Sequence, residues 1–535
     1  FFAKDRHGKA SDQIQVVQKI IPVVPVRIYQ ATLAQLEPNY QLPVEIPRNA
    51  RVGRGGIRVQ MDRTLLPGLE GARQYMATYP FTCLEQRVSQ AVVLRDETTW
   101  KKIVAELPNY LDSDGLAKYF PTPLLEGSDI LTAYLLSISH EAGWELPKKV
   151  WEQMTEGLKK FVEGRLTRGQ RFANPDLTVQ KLAALEALAR YKKATWEMTG
   201  SLQVNPPLWP TSAVIDWLEF LKRMESTPDL ETKKQQADHI LRSRLNFQGT
   251  RLGFSTDNSD SMPWMMVSNS TNATRLLLSR SDSPQWKEEM GRIVNGIFSR
   301  QERGHWDTTT ANAWGVLAFE KFSRVFEKES VTGTTTVTLN QKAIPQVWND
   351  QALAPLDFEW PKQASHLLVQ HSGTGKPWVT LQSRAVIPLT APLSSGYRVT
   401  KTWLPVEQKV SGRWTMGDIA RVRLELESQA DMSWVVVSDP VPAGASILGS
   451  GLGNDSTLLT QSEKEAGAAW IAFQERTFDS YRVYYRDVPR GKWAVEYTLR
   501  LNQSGIMNLP TTRVEAMYAP EMFGELPNDV LSIGK

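Results

Sequence analysis

Cysteine is the residue that this sequence most clearly lacks, since Cys83 is the only one among 535 residues. No intrachain disulfide is therefore possible, and no metal cluster can be built from several thiolates. Long hydrophobic runs are also missing: we find no stretch of about 18 apolar residues, so the sequence predicts no membrane span. Charge of one sign is not in excess, because 62 basic residues balance 58 acidic ones to a net charge of +4. This balance gives no electrostatic reason to expect a nucleic acid or a membrane surface as a partner.

The length and composition predict a globular protein with several domains. Hydrophobic residues make up 41% of the chain and charged residues 22%, which is ordinary for such proteins. A prior of roughly 150 residues per domain predicts three or four domains. The sequence begins with Phe1 and has charges where a signal peptide needs an apolar stretch. We therefore interpret it as a fragment of a longer protein.

Hydrophobic periodicity predicts a β part followed by a long helical part. Residues 1–68 contain short alternating or β-branched runs, as at 14–21 and 57–61, separated by Pro and Gly. From 69 to 328 one helical pattern follows another, and no strand is expected between them. The clearest helical runs are 130–140, 179–188, 213–224, 273–278 and 311–322. Such a succession indicates stacked helix pairs, as in an α/α toroid or solenoid.

The strand period returns after residue 329. Short strands are predicted at 334–339, 367–370 and 379–382, and then at 421–427, 433–438 and 494–501. The later strands have polar outer faces, which predicts a β-sandwich over 395–535. Because strands lie on both sides of the helices, we expect the helices to be inserted into one β-domain formed by 1–68 and 329–394. The predicted fold class is therefore multidomain α+β.

The segment with the clearest chemistry is residues 79–86, YPFTCLEQ. Pro80 disfavours helix before it and Thr82 is a candidate N-cap, so a helix is predicted to start at Cys83. Residues three apart share a helical face, which brings the Cys83 sulfur close to the side-chain carbonyl of Gln86. Attack of the thiolate on that amide, with loss of ammonia, would close a thioester. The helix N-terminus is expected to lower the pKa of the thiol and to stabilise the developing oxyanion.

A thioester at this position would need protection from water, because its carbonyl is far more reactive than that of an amide. Tyr79 and Phe81 lie close enough in sequence to form part of an apolar cover. The alternative is that Cys83 is a small buried hydrophobe and that Glu85 and Gln86 are ordinary first-turn residues. An isolated C-x-x-Q pattern favours this alternative, because short motifs often match by chance.

The wider context of the motif resembles the thioester region of α2-macroglobulins and complement components, which reverses that preference. The stretch PFTCLEQ is entered from strands and leads a long helical block. In that family a β-domain called CUB is interrupted by a helical thioester domain, an α/α toroid, and is followed by a macroglobulin-type β-sandwich. The order predicted here is the same. Residues 518–527, YAPEMFGELP, are also similar to the C-terminal signature of bacterial members.

The resemblance implies roles for several residues of this sequence. In bacterial members a Tyr four residues before the Cys and a Met from the last domain shield the thioester. Tyr79 fits the first position, and Met522 is the best candidate for the second, with Met517 as its competitor. Gln86 would supply the acyl carbon and Cys83 the leaving thiolate. Glu85 is a motif residue without an assigned chemical step, and the resemblance implies no cofactor and no metal.

The function implied by the resemblance is that of a single-use, broad-specificity protease inhibitor rather than an enzyme. A protease would cut a bait region outside these residues, the inhibitor would rearrange, and the thioester would acylate a lysine of that protease. The resemblance also implies a penicillin-binding protein as a second partner. The implied location is the bacterial periplasm, with attachment to the inner membrane through an N-terminal lipid outside this sequence.

Three other functions remain open from the residues alone. A cysteine protease would need a His beside Cys83, for which His140 and His305 are candidates. A glycoside hydrolase on an α/α toroid would need paired carboxylates. The candidates for that pair are Glu126 with Asp129 or Asp307. These acids are more simply interpreted as helix caps and first-turn residues. A thioester adhesin would use the same Cys–Gln bond to attach to host surfaces.

Overall fold

The structure is a computed structural model of the 535-residue chain. It describes residues 2–4, 11–13, 22–37, 39–168, 177–225, 227–249, 251–255, 260–349, 351–449 and 463–535. The strand predicted at 14–21 lies outside these residues. The strands described before the helices are β1 (Phe2–Lys4), β2 (Ser11–Gln13), β3 (Arg27–Gln35), β4 (Asn39–Val44) and β5 (Gly55–Asp62).

The described residues between 70 and 326 are mainly helical. The helices are α1 (Glu70–Ala77), α2 (Leu84–Leu94), α3 (Glu97–Glu106), α4 (Asp129–Ala142), α5 (Lys148–Val162), α6 (Thr178–Arg190), α7 (Thr211–Arg223), α8 (Leu230–Ser243), α9 (Asn269–Arg280), α10 (Met290–Phe298) and α11 (Thr309–Phe326). The five helical runs predicted from the sequence fall on α4, α6, α7, α9 and α11. No helix in the described part of the chain is long and apolar enough to cross a bilayer.

One prediction for this region is wrong, because a hairpin interrupts the helices. Strands β6 (Leu245–Gln248) and β7 (Arg251–Phe254) pair with each other in antiparallel register. Gly249 lies between them with φ at 62°, in the left-handed region that favours glycine. Leu252 and Phe254 are buried and the residue between them is less so, which is a period of two within a helical context.

Several helices start at the same end of the helical part. The N-termini of α2 and α11 meet where Thr309 donates its hydroxyl to Glu85. The N-termini of α9 and α11 are joined by a hydrogen bond from Ser268 to Asp307 of 2.8 Å. Capping hydroxyls stabilise α9 and α11, since Ser268 accepts from a backbone N–H of the first turn and Thr308 does the same. This end carries the predicted motif.

The C-terminal turns of the helices surround a cavity of about 260 Å³ lined mainly by charged side chains. These charges are paired: Arg190 binds Glu141 and Glu186, each at 2.6 Å, and Arg223 binds Glu219 at 2.8 Å. Cations at helix C-termini are also favoured by the helix dipole. The cavity is therefore accounted for as a paired charge network at the end opposite the motif.

Strands before and after the helices share two antiparallel sheets. The strands that follow the helices are β8 (Thr334–Leu339), β9 (Lys342–Val347), β10 (Leu356–Phe358), β11 (Ser365–Ser372) and β12 (Trp378–Ala385). The sheet orders are β10-β5-β12-β3 and β4-β11-β8-β9. The two sheets enclose a common core that includes Val59, Val337, Val369 and Leu381. The helical part is therefore inserted between segments that fold together.

The C-terminal part forms a second β-sandwich. Its strands are β13 (Leu393–Ser395), β14 (Tyr397–Glu407), β15 (Ile419–Ser428), β16 (Met432–Pro440), β17 (Ser446–Ile447), β18 (Trp470–Arg476), β19 (Ser480–Val488), β20 (Gly491–Arg500), β21 (Gly505–Met507), β22 (Thr512–Ala516), β23 (Ala519–Leu526) and β24 (Leu531–Ile533). The main sheets have the orders β13-β23-β22-β16-β19-β18 and β14-β15-β20-β17. The first of these strands along the chain, β13, pairs with β23. The predicted multidomain α+β class is confirmed.

The six-stranded sheet is buried on both faces, and this positions the site. Along β16, Val435 and Val437 belong to the core between the two sandwich sheets. Trp434 and Val436 belong instead to the core of the helical part. Successive side chains of a strand point to opposite faces. The sheet therefore lies directly on the helices.

Candidate functional site at the start of helix α2

Cys83 caps helix α2 and does not lie inside it. Its φ and ψ of −62° and 163° are extended, and the helix begins at Leu84. The prediction that Thr82 is the N-cap is therefore wrong by one residue. The Thr82 hydroxyl instead donates to the carboxylate of Glu475 in the sandwich, at 2.5 Å. The Thr82 hydroxyl, which was expected to cap the helix, is therefore used in a contact between the helical part and the sandwich.

Cys83 and Gln86 are held together by reciprocal hydrogen bonds. The backbone N–H of Cys83 donates to Oε1 of Gln86 at 3.1 Å. In return, the backbone N–H of Gln86 points to the Cys83 sulfur. This is a capping box, in which sulfur replaces the usual hydroxyl oxygen. An N–H bound to the amide oxygen polarises the carbonyl carbon, which is the arrangement that favours attack by a nearby nucleophile.

The pair is fully enclosed, since Cys83 is 0% exposed and Gln86 is 1% exposed. The side-chain nitrogen of Gln86 donates to the Tyr79 hydroxyl at 3.4 Å and to the Met517 sulfur at 3.2 Å. Phe81 is edge-on to Tyr79, with 5.5 Å between ring centroids. Tyr79 therefore contacts Gln86 directly, and Phe81 packs against Tyr79.

Of the two candidate methionines, Met517 contacts Gln86 and Met522 is placed elsewhere. Met522 packs against the core between the sandwich sheets, where its sulfur and terminal methyl fill the space beside Gly396. Met517 and Tyr518 form the turn between β22 and β23, and both are almost fully buried. Two bulky apolar residues in a hairpin turn are a signal that the turn packs against another domain. This signal points to Met517, whereas the sequence analysis preferred Met522.

Glu85 is the least expected residue of the site, because the hydrogen bonds that its buried carboxylate accepts within the described residues all come from hydroxyls. Ser89 donates to Oε1 at 2.5 Å, and Thr309 donates to both oxygens at 2.9 and 3.0 Å. Tyr518 donates to Oε2 at 2.8 Å. Burial raises the pKa of Glu85, and these three hydroxyls oppose the rise. Sequence reasoning missed both Thr309 and Tyr518, which are distant in the chain.

The pKa of Cys83 moves in the direction opposite to the prediction. Burial raises the pKa of its thiol well above the ordinary value, and the nearby Glu85 raises it further. The backbone N–H groups of Gln86 and Glu85 and the Tyr518 hydroxyl act to lower it but do not outweigh the burial. The expectation that the helix N-terminus lowers this pKa overall is therefore wrong. The thiol is protonated unless a neighbouring group accepts its proton.

The sandwich closes over the site through stacked aromatic side chains. Trp434 packs on Tyr119 with 3.9 Å between ring centroids, and Phe473 stacks on Phe120 at 4.5 Å. Trp434 has φ at 53°, an unfavourable conformation for a large side chain, at an irregularity in the pairing of β16 with β19. The pair therefore lies beneath the interface between the sandwich and the helices, where Met517 of the sandwich contacts Gln86.

The histidines proposed for a cysteine protease do not contact Cys83. His140 lies in the last turn of α4 against Tyr191, at the other end of the helices. His305 stacks on Tyr75 with 3.6 Å between ring centroids, and its Nδ1 lies 2.8 Å from the carbonyl of Trp306. Tyr75 in turn contacts Tyr79, so aromatic rings separate His305 from the pair.

The carboxylates proposed for a glycosidase do not form a substrate site. Glu126 is exposed, and Asp129 is buried with a pKa raised to about 6 by that burial. Both line a cavity of about 80 Å³ between the helices and the sandwich. Asp307 accepts from Ser268 and from the backbone N–H of Thr308, each at 2.8 Å, and so joins the starts of α9 and α11.

Comparisons with known proteins agree with this fold. Residues 396–521 match the family described as the bacterial α2-macroglobulin MG10 domain. A curated α2-macroglobulin homolog from Nostoc sp. (strain PCC 7120) is 21% identical over 536 aligned residues, which cover 90% of this chain and 27% of the relative. Native α2-macroglobulin from Escherichia coli, from domain MG7 to the C-terminus, matches with a TM-score of 0.68 and 16% identity, over 96% of this chain and 83% of that one. Salmonella α2-macroglobulin reacted with methylamine gives a TM-score of 0.70 and 17% identity, over 96% and 34%.

The fold and the family match show that this chain resembles the C-terminal region of bacterial α2-macroglobulins. This resemblance, predicted from residues 79–86 and 518–527, is confirmed, and residues 396–521 match the bacterial α2-macroglobulin MG10 domain. The chain spans about a quarter of the length of the curated relative, 27%.

Proposed function

We propose that Cys83 and Gln86 form an internal thioester and that this chain is the covalent-trapping part of a broad-specificity protease inhibitor. The observation that carries the proposal is the reciprocal hydrogen bonding of Cys83 and Gln86 in a fully buried site. A lone buried cysteine needs no such partner. A capping box whose amide carbonyl is bound by an N–H beside a sulfur is suited to acyl transfer.

The bond would form by attack of the Cys83 sulfur on the amide carbon of Gln86. The carbon–sulfur bond forms, the carbon–nitrogen bond breaks, and the nitrogen leaves as ammonia with the thiol proton. The backbone N–H of Cys83 is placed to stabilise the negative charge that develops on Oε1. Once closed, the thioester is sheltered by Tyr79, Phe81 and Met517.

The trapping reaction is the reverse attack by an amine. The nitrogen of Gln86 lies between Tyr79 and Met517, and an entering amine would take the same position. A lysine of a target protease would then become bonded to the acyl carbon, and Cys83 would leave as the thiol. The reaction of the structurally similar Salmonella protein with methylamine supports this chemistry. We infer that bait cleavage outside these residues separates the sandwich from the helices and exposes the bond.

The family resemblance supports further parts of the proposal. We propose that the paired sheets formed from 1–68 and 329–394 are a CUB domain and that the helices of 69–328 form an α/α toroid. We also propose a periplasmic location with an inner-membrane lipid anchor, and a penicillin-binding protein as a partner beside the target proteases. The boundaries at 68, 328 and 394 stay predictions.

Intact mass spectrometry tests the thioester directly. We expect the fresh protein to be one ammonia lighter than its sequence mass and to carry no thiol that reacts with a probe. Methylamine should add at Gln86 and free one thiol. A Cys83→Ala variant is the control and should show neither the mass loss nor the addition. A full sequence mass together with a titratable thiol in fresh, untreated wild-type protein would overturn the proposal.

A further inference from the structure

The start of α2 carries two overlapping capping patterns that differ by one residue. Residues 82–85, TCLE, offer Thr at the N-cap and Glu three residues later, and residues 83–86, CLEQ, offer Cys and Gln in the same places. A hydroxyl oxygen is a preferred N-cap acceptor, whereas sulfur accepts hydrogen bonds only weakly. The local sequence therefore favours a helix capped by Thr82, yet Cys83 is the N-cap in the structure.

The Thr82 hydroxyl is used outside the helix, because it donates to Oε1 of Glu475 at 2.5 Å. The other oxygen of Glu475 accepts from Arg482 at 3.2 Å and from the Tyr484 hydroxyl at 3.0 Å, and both donors belong to β19 of the same sandwich. Glu475 is therefore fixed by its own domain. A hydrogen bond to a carboxylate is about twice as strong as one between neutral groups, which suits it to compete with a helix cap.

A second contact from the sandwich acts on the same turn through Tyr119. The backbone N–H of Leu84 donates to the carbonyl of Tyr119 at 2.9 Å. The Tyr119 ring is covered by Trp434 of the sandwich, with 3.9 Å between ring centroids. In a helix capped by Thr82, the Leu84 N–H is one of the first-turn donors that the Thr82 oxygen would accept. Docking of the sandwich therefore favours the observed helix start at two points.

The two possible helix starts compete for the same backbone donors. In the structure, the N–H of Arg87 donates to the Cys83 carbonyl at 3.0 Å as the first helical bond, and the N–H of Gln86 points to the Cys83 sulfur. With Thr82 as the N-cap, the N–H of Gln86 would donate to the Thr82 carbonyl instead. The φ of Cys83, −62°, already has the helical value, so only its ψ of 163° has to change. One backbone rotation therefore exchanges the two starts.

We propose that Glu475 is a positioning residue for the proposed thioester, because its hold on Thr82 makes Cys83 the N-cap of α2. This role of Cys83 brings its sulfur and its N–H to Gln86. The inference rests on the proposed thioester and makes the reactive geometry depend on docking, since Glu475 and Thr82 belong to different domains. When the sandwich separates from the helices, Thr82 becomes the N-cap, and the reciprocal hydrogen bonding of Cys83 with Gln86 is lost.

The change of helix start makes trapping one-way. After an amine has opened the thioester, the Cys83 thiol is the group that would have to attack the new amide in order to expel the amine. The Cys83 N–H polarises this amide only while it bonds the side-chain oxygen of Gln86. With Thr82 as the N-cap that hydrogen bond is absent, so the bound amine is retained.

The test compares Thr82→Val, Glu475→Ala and the double variant with wild type in the full 535-residue chain. Closure of the bond is followed by intact mass after a pulse of cell-free synthesis, with a thiol-alkylating reagent to stop the reaction. Residue-resolved hydrogen exchange of the Cys83 amide reports the helix start itself, because this N–H is bonded to Gln86 only when Cys83 is the N-cap. Tyr484→Phe is the matched control, since it removes another hydrogen bond of Glu475 and leaves Thr82 in place. Thermal unfolding confirms that each variant folds.

We expect Thr82→Val and Tyr484→Phe to close within about twofold of the wild-type rate, because Cys83 stays the N-cap in both. Glu475→Ala should close about tenfold more slowly and exchange the Cys83 amide about tenfold faster, since a hydrogen bond to a charged group is worth at least about a factor of ten. The double variant should recover the wild-type behaviour, because the hydroxyl that Glu475→Ala sets free is absent from it.

Equal slowing of both single variants, with no recovery in the double variant, overturns the inference, because a lost docking contact alone gives that result. If Glu475→Ala does not fold, Thr82→Asn decides the question. Asparagine is a strong N-cap, so closure should be slower than in Thr82→Val, and equal rates overturn the inference. A wild type that never closes overturns the thioester itself, and exchange of the Cys83 amide then still shows which residue caps the helix.

Discussion

Replacing Met517 by Ala should speed the spontaneous hydrolysis of the proposed thioester. The Met517 sulfur lies 3.2 Å from the side-chain nitrogen of Gln86, and the residue is only 3% exposed. It reaches the site from the turn between β22 and β23. Its loss therefore opens space beside the acyl carbon and weakens the docking of the sandwich.

The size of the effect can be estimated from the free energy that is lost when a buried methionine side chain is removed. A buried Met→Ala change costs about 2 kcal/mol or more. If the substitution destabilises the docked state of the sandwich by this free energy, the undocked population rises about 30-fold, since about 1.4 kcal/mol corresponds to a factor of ten. Hydrolysis that occurs mainly from the undocked state should then accelerate by the same factor of about 30.

Met522→Ala is the control, because it removes the same kind of side chain from β23, at a position with no described contact to Gln86. Met522 packs against the core between the sandwich sheets, so its replacement by Ala should lower the stability of the sandwich. Hydrolysis is followed at neutral pH by the appearance of thiol and by the gain of one water in intact mass. Equal rates for Met517→Ala and wild type, or a larger acceleration in Met522→Ala, would refute the reasoning.

Two further predictions concern Tyr79 and His305. Tyr79→Ala should speed thioester hydrolysis by admitting water next to Gln86. Tyr79→Phe keeps the ring, so its hydrolysis rate should stay close to that of wild type. Equal hydrolysis rates in Tyr79→Ala and wild type would show that Tyr79 does not shelter the thioester. Burial lowers the pKa of His305 from 6.5 to about 4, so the folded protein binds a proton at His305 less tightly than the unfolded chain does. The folded protein should therefore lose stability as pH falls from about 6.5 to about 4, by up to about 3 kcal/mol. Urea unfolding at neutral and acidic pH should show this loss in wild type but not in His305→Phe, which keeps the stacking on Tyr75; an identical pH dependence in both proteins would contradict the assignment.

Local features of the sequence determined much of the fold. Helical spacing of apolar residues placed α4, α6 and α11, and alternation placed β8 and β16, because these patterns depend on neighbouring residues. The hairpin β6–β7 escaped prediction, since its short alternating run is not distinct within a helical region.

The pairing of Cys83 with Gln86 was also a local matter, because a spacing of three residues at a helix start determines it. The tertiary structure alone decided what surrounds that pair. Met517 meets Gln86 across 431 positions of the chain, and Tyr518 meets Glu85 across 433. No local pattern encodes such contacts, since they exist only where the sandwich lies on the helices. The same burial reversed the expected pKa shift of Cys83, because removal of water outweighs the helix N-terminus.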